Sequence, residues 1–370
     1  MGGRCGGCPW IHLPIGTQLQ QKKDQFRAAW AEWGLPSAPV EALEIISPGE
    51  AGLRDRTDLT LIRREGRSVL GLWDLEHQEV LPVAGCPAVN PLLLPWIDTL
   101  SGDPPPGISR ASMRLRVAPG GQRGLWLDLA NLDVKDLLEE KDWLRRRMAE
   151  AWVEIGQRRK PLRDDGTRLS LGKEVELHPW STTWLQGGRQ VPLYGVVGGF
   201  TQVGVVANRH LVDQVNLRAE VSGVTRWVEL GCGNGNFTLP LASRGWEVVA
   251  IDADETALFG LKRSLVELKL ESRVKVVLAD MNKPASLVSC LGRGEGLLVD
   301  PPRSGLGAAV EALSRCQTLP PHILYLSCYQ DSLLSDLSTL TRLGYQPGHV
   351  LGIDQFPETP HCEWLVSLSL

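Results

Sequence analysis

From about residue 205 to the end, short apolar runs rich in Val, Ile and Leu alternate with longer stretches of helical periodicity. Residues 227–230, 248–251, 274–278, 297–299 and 323–326 read as strands, and 208–220, 254–269, 307–316 and 331–343 as helices. This alternation leaves few folds open. Parallel neighbours need long crossovers, and crossover helices cover both faces of the sheet they connect. The pattern predicts a mostly parallel, doubly wound α/β sheet. Two last runs, 350–353 and 364–370, read as an antiparallel pair that closes it.

Open α/β sheets hold ligands beyond the carboxyl ends of their strands, so the residues at those ends carry the functional reading. The first strand runs into Glu229-Leu230-Gly231-Cys232-Gly233-Asn234-Gly235-Asn236-Phe237. Glycines there let the backbone turn tightly and approach a ligand. Asp252 ends the next strand, about 20 residues on, where an acid binds ribose hydroxyls. That much fits NAD, FAD or S-adenosylmethionine. Asp280 follows the third strand, in reach of an adenine amino group, and Asp300-Pro301-Pro302 follows the fourth. With the antiparallel end, this resembles the Rossmann-like methyltransferases. Adenine and guanine N-methyltransferases also carry a D/N-P-P motif at this point, so the motif alone does not identify the acceptor.

The first half reads differently. Residues 1–40 form a Cys-containing segment and a helix at 18–33. Residues 41–205 are mostly β, with hairpins around Gly66 and Pro119-Gly120-Gly121, and 132–155 read as a helix. The expected division is therefore 1–40, 41–205 and 206–370. No apolar run approaches the ~20 residues of a membrane span, and the N-terminus lacks a signal-peptide pattern. A cytoplasmic monomer is the default expectation. The net charge of -4 excludes a globally basic nucleic-acid binder, so any such surface must be local. Arginines do cluster before residue 170, and ten of the 13 tryptophans precede residue 190, a residue type that stacks on bases as well as filling cores.

One cysteine stands at a strand end, in Ile323-Leu324-Tyr325-Leu326-Ser327-Cys328. A cysteine in a strand is more often structural than reactive, but its neighbours weigh against that here. Asp300-Pro301-Pro302-Arg303-Ser304-Gly305, then Tyr325-Leu326-Ser327-Cys328, then 354–363 (Asp-Gln-Phe-Pro-Glu-Thr-Pro-His-Cys-Glu) closely resemble the signatures of the RNA (uracil-5-)-methyltransferases. Phe200-Thr201-Gln202-Val203 with Asn208 resembles the same family's entry segment, and Arg4-Cys5-Gly6-Gly7-Cys8-Pro9-Trp10 its iron–sulfur segment. The resemblance spans almost the whole chain. It implies a Rossmann-like S-adenosylmethionine methyltransferase domain preceded by a β-rich α+β RNA-binding domain.

It also implies roles. Cys328 matches the family's nucleophile and Glu363 its base. Gln202, Gly231, Asn236, Asp252, Asp280 and Asp300 match cofactor contacts. Carbon 5 of uracil is too poor a nucleophile to take a methyl group directly. A thiolate must add at carbon 6, and a carboxylate must later remove the carbon-5 proton. The N-terminal RNA-binding barrel of some members has no counterpart here, which points to the shorter group acting on large-subunit ribosomal RNA. Members with a [4Fe–4S] cluster carry four cysteines, of which Cys5, Cys8 and Cys86 match three, a Cys-x-x-Cys and a distant Cys-Pro. Three positions depart from the family: Tyr329 and Gly204, where it has Asn, and Gly231, where it often has a bulkier residue. An N-methyltransferase using Asp300-Pro301-Pro302 and a non-catalytic RNA-binding or assembly factor are the alternatives.

Overall fold

The structure, a computed structural model, describes residues 5–370 apart from 50–51, 65–66, 75–76, 84, 129–133, 288–289 and 292–294. Two compact units emerge. One comprises Met1–His12, Ala51–Ser181 and Tyr194–Gly204, the other Leu13–Glu50, Thr182–Leu193 and Val205–Leu370.

In the second unit an eight-stranded sheet has the order Glu44–Ile46, Gln346–Ile353, Glu363–Ser369, His322–Ser327, Gly296–Val299, Arg226–Leu230, Glu247–Asp252 and Val274–Leu278. The five strands from His322–Ser327 to Val274–Leu278 are parallel to one another. Glu363–Ser369 runs antiparallel to both its neighbours. Adjacent residues of each strand enter opposite cores, as a two-residue period requires. Val228, Leu297, Val299, Ile323 and Tyr325 belong to one hydrophobic cluster. Trp227, Leu298, Leu324 and Leu326 belong to another. Both faces are buried, the doubly wound arrangement that the strand–helix rhythm predicts.

The first unit holds an eight-stranded sheet that is antiparallel except where Arg123–Asp128 pairs parallel with Trp152–Ile155. Its core is built on Leu59, Leu61, Met113, Leu115, Leu125 and Leu127 with Trp96 and Trp143. The hairpins expected near Gly66 and Pro119 are present as Arg56–Arg64 with Arg67–Asp74 and Arg110–Val117 with Arg123–Asp128. The helix read over 132–155 ends early. It consists of Val134–Glu139 and Lys141–Glu150, and Trp152–Ile155 is a strand. Ala151 already has an extended backbone, with φ -153° and ψ 157°. A continuous apolar series at helical spacing hid a change of period there.

The segment between residues 13 and 50 also groups differently from its sequence reading. The helix Ile15–Glu32 packs Phe26 and Trp30 into the second unit's core, and Glu44–Ile46 adds an outer parallel strand beside Gln346–Ile353.

The cofactor loop and the thiol–carboxylate edge

The strand order of the second unit reverses between Arg226–Leu230 and Gly296–Val299. Successive strands first extend the sheet to one side, then return to the other side of the first. Such a switch point opens a crevice at the carboxyl ends of the two strands. Gly231 and Asp300 are the first residues beyond those ends, and they meet there. The Asp300 N–H donates to the Leu230 carbonyl at 3.0 Å. A Cβ on Gly231 would lie 2.2 Å from the Asp300 carbonyl oxygen, and Gly231 holds φ +80°. No other residue fits that backbone. The departure at Gly231 thus has a geometric counterpart. Gly204, in the first unit, holds φ +72°, a region that Asn also visits, but a Cβ there would lie 3.2 Å from the Leu53 Cβ, so an asparagine would need Leu53 to give.

From Gly231 the loop is pinned to the next strand. The N–H groups of Gly231 and Cys232 donate to the Ile251 carbonyl at 2.9 and 3.1 Å. Asp252 accepts the Gly233 N–H at 2.7 Å and the Asp254 N–H at 2.8 Å. At the loop's far end Asn236 and Asn208 exchange amide hydrogen bonds, both 2.8 Å. The Asn236 side chain is therefore engaged by Asn208, which fixes where the loop enters its helix. Asp280 accepts the Asn282 N–H at 2.9 Å. Gln202 belongs to the other unit.

Sequence reasoning passed over Glu229, the residue that leads into the loop. It is fully buried, and its Oε2 accepts the Thr238 hydroxyl at 2.6 Å. Oε1 has no hydrogen-bond partner among the described residues. Burial pushes this carboxyl up to about 8, against the Thr238 hydrogen bond and with the Asp300 and Asp252 carboxylates adding to the rise. An orphaned carboxyl oxygen, a loop with no room for a Cβ and an acid after each of the next strands suit a nucleoside carrying a charged amino-acid tail. The residues fit S-adenosylmethionine.

Cys328 and Glu363 come from neighbouring antiparallel strands. Ser327, the residue before Cys328, pairs with Trp364, the residue after Glu363, and the Glu363 charge acts on the thiol. Glu363 also pairs with Ile353 on its other side and is 3% exposed. Burial, with Asp300 beside it, pushes its carboxyl well above the usual carboxylate range. Burial and then Glu363 push the Cys328 thiol up, while the Arg303 guanidinium, hydrogen-bonded to it, opposes them. Arg303 was quoted in the sequence motif without a role; it is exposed and touches the thiol. The 13-residue helix Gln330–Arg342 begins two residues after Cys328, and a helix N-terminus also favours a thiolate. Its N-cap, Tyr329, makes no side-chain cap and is half-exposed. Behind the thiol, one oxygen of Asp336 accepts both the Tyr325 hydroxyl at 2.6 Å and the Leu306 N–H at 2.7 Å. Those bonds tie the loop after Asp300 to the strand His322–Ser327 that leads to Cys328.

Among the described residues no group of three or more His, Cys, Asp or Glu side chains is placed to hold a metal ion. Cys5, Cys8 and Cys86 belong to the first unit and form no disulfide. Among the described residues they do not make up such a group.

A doubly wound sheet of this strand order, with a glycine-rich first turn at its switch point, defines a Rossmann-like S-adenosylmethionine-dependent methyltransferase. Residues 228–288 match the methyltransferase domain family, and residues 293–370 match the tRNA (uracil-5-)-methyltransferase family. An uncharacterized RNA methyltransferase of Bdellovibrio bacteriovorus is 38% identical over 370 residues, covering 98% of this chain and 92% of the relative. A 23S rRNA (uracil(1939)-C(5))-methyltransferase of Shewanella frigidimarina is 27% identical over 99% of this chain and 80% of the relative. The fold is shared with a tRNA (uracil-54, C5)-methyltransferase of Pyrococcus abyssi solved with S-adenosyl-L-homocysteine. That match has a TM-score of 0.67 at 19% identity, over 99% of this chain and 86% of the other. The chain belongs to the RNA (uracil-5-)-methyltransferase family. Among the described residues no helix is long and apolar enough to cross a membrane.

Proposed function

We propose that the chain methylates carbon 5 of a uridine in large-subunit ribosomal RNA through a covalent adduct on Cys328, with Glu363 as proton acceptor. The observation that carries this reading is the Ser327–Trp364 pair, which brings the adjoining Cys328 and Glu363 to one edge with Asp300 beside them. S-adenosylmethionine, bound at the Gly231–Asn236 loop, supplies the methyl group.

The remaining steps belong to the protein. The Cys328 thiol loses its proton to solvent, helped by Arg303, and its sulfur bonds to carbon 6 of the uracil. The carbon-5/carbon-6 π pair moves onto carbon 5 and its adjoining carbonyl, and carbon 5 takes the methyl group. Glu363, ionised at that point, takes the carbon-5 proton. The released electron pair restores the double bond and expels the Cys328 thiolate. A carboxylate held well above its usual range is a strong base once ionised, which suits a carbon acid. Asp300, Gly231 and the Asp252-anchored loop orient the donor.

The reacting carbon is inaccessible within a stacked helix, so the base must be flipped out, and single-stranded loops are the usual RNA targets. We assign the RNA grip to the first unit. Arginines gather around its Trp126, Arg114 at 4.7 Å and Arg159 at 5.0 Å from the ring centroid, with Arg56 close to both arginines. Trp126 itself is buried, so phosphate contacts from the arginines are the force such a patch offers. The names of relatives such as the Shewanella protein support ribosomal RNA as substrate.

The test is transfer of labelled methyl groups into RNA that lacks 5-methyluridine. Cys328→Ala is expected to abolish transfer, and Glu363→Gln to leave methylated RNA covalently attached to the enzyme. Activity surviving Cys328→Ala would instead mark an N-methyltransferase. No incorporation into any RNA would leave a binding factor.

A further inference from the structure

Gln18, Lys22, Phe26 and Trp30 recur at intervals of four along the helix Ile15–Glu32, and all four are buried. That spacing keeps them on one helix face. For Phe26 and Trp30 burial needs no special account. Gln18 and Lys22 are 0% and 1% exposed, and removing an ammonium from water costs several kcal/mol unless it is paired.

Both side chains are committed to the segment between Ile353 and Glu363. Lys22 Nζ donates to Asp354 Oδ1 at 2.6 Å and to the Phe356 carbonyl at 3.0 Å. Lys22 and Asp354 are 332 residues apart in sequence, and neither side chain is exposed. Gln18 Nε2 donates to Glu358 Oε2 at 2.8 Å, and the Glu358 N–H donates to Gln18 Oε1 at 2.8 Å. Glu358 holds φ +66°, a left-handed conformation that this reciprocal bond pins. At the next interval Phe26 stacks on Trp364, with ring centroids 3.8 Å apart and planes at 26°. Trp364 directly follows Glu363. One helix stripe therefore holds the start, the middle and the far end of the loop that delivers Glu363.

The stripe acts on the backbone to either side of Glu363. We propose that Lys22, seconded by Gln18, is a positioning residue for Glu363, its buried pair with Asp354 setting the loop so that the carboxylate meets the carbon-5 proton of the target uracil. This rests on the reading of Glu363 as proton acceptor. An apolar pair would fill the same space without directional bonds to Asp354 and the Phe356 carbonyl. Direction is what a base needs, since a misplacement of about 1 Å can cost on the order of 100-fold in rate.

The experiment is steady-state kinetics with a denaturing-gel assay for covalent RNA–enzyme adduct, on Lys22→Met in the full chain. Expected is a kcat lower by on the order of 100-fold, unchanged KM for RNA and methyl donor, and accumulation of methylated adduct, because methyl transfer proceeds while proton removal lags. Lys22→Arg, which keeps a charged donor toward Asp354, should recover part of kcat. If the single variant does not fold, Lys22→Met/Asp354→Leu removes both charges together and should still accumulate adduct. A folded variant with full kcat, or with a loss confined to KM and no adduct, overturns the proposal. Glu363→Gln is the control. Trapped adduct there but in neither Lys22 variant rejects this proposal alone, whereas none in Glu363→Gln rejects the reading beneath it.

Discussion

Replacing Glu229 by Gln should make the protein more stable in alkaline solution. Glu229 is fully buried at the head of the cofactor loop, and burial raises its carboxyl from an ordinary 4.5 to about 8. Between those values the folded chain keeps a proton that the unfolded chain has released. Stability falls with rising pH wherever the folded state binds more protons. The contribution of protonated Glu229 is thus fully present below about 4.5 and is lost as pH rises to about 8. Each pH unit in that interval is worth about 1.4 kcal/mol, and the whole interval about 5 kcal/mol. Glu229→Gln keeps an acceptor for the Thr238 hydroxyl and cannot titrate. At pH ~5 parent and variant should agree within about 1 kcal/mol, the worth of one hydrogen bond. At pH ~9 the variant should be more stable by about 5 kcal/mol. Urea-dependent hydrogen exchange of peptides from Arg226–Leu230 and Glu247–Asp252 reads this unit by itself, which matters in a chain of two units. A stability difference that is the same at both pH values would refute the argument, because Glu229 would then be ionised throughout.

Arg303→Gln should move the rising limb of the kcat/KM profile to higher pH, since Arg303 opposes the burial and the Glu363 charge that push the Cys328 thiol up. Activity would fall at neutral pH and recover in alkali, and an unmoved limb would remove Arg303 from thiol activation. Gly231→Ala puts a Cβ 2.2 Å from the Asp300 carbonyl at φ +80°. The left-handed backbone alone costs about 1–2 kcal/mol. Calorimetry with S-adenosylhomocysteine should show binding weakened at least about tenfold, and an unchanged Kd would show that the loop and the Asp300 strand can part without loss.

The parallel sheet was legible because its signal is redundant. Each strand is a short apolar run, each ends on a residue with chemistry, and a helix follows. The same edge brought Gly231, Asp252, Asp300, Cys328 and Glu363 into one reading, since strand ends need only the order of elements to be assigned. Glu229 stayed hidden because a single acid inside an apolar strand looks like any solvated carboxylate until both faces of the sheet are known to be covered. Lys22 and Asp354 were illegible for a different reason. Each is an ordinary charged residue in its own segment, and only a contact across 332 residues makes either unusual. Trp152–Ile155 was misread because apolar residues at 143, 144, 148, 151 and 152 continue a helical series through the point where the backbone extends.

The antiparallel strand explains why thiol and carboxylate meet at all. In a wholly parallel sheet every strand end at the ligand edge is a carboxyl end, and the residue after it begins a loop free to turn away. Glu363–Ser369 runs the other way between His322–Ser327 and Gln346–Ile353, so it starts at that edge. Its first residue is therefore held by ladder pairing while still lying at the site, and the Ser327–Trp364 pair fixes its distance from Cys328. The same reversal has a consequence for the chain. Gln346–Ile353 and Glu363–Ser369 are joined across the ligand edge itself, by residues 354–362, so the connection must lie beside the reacting groups. A loop there that wandered would carry Glu363 with it. Buried bonds from Gln18 and Lys22 and the Phe26–Trp364 stack answer that requirement. The helix that opens this unit belongs with its reacting edge because the antiparallel strand has to be started in the right place.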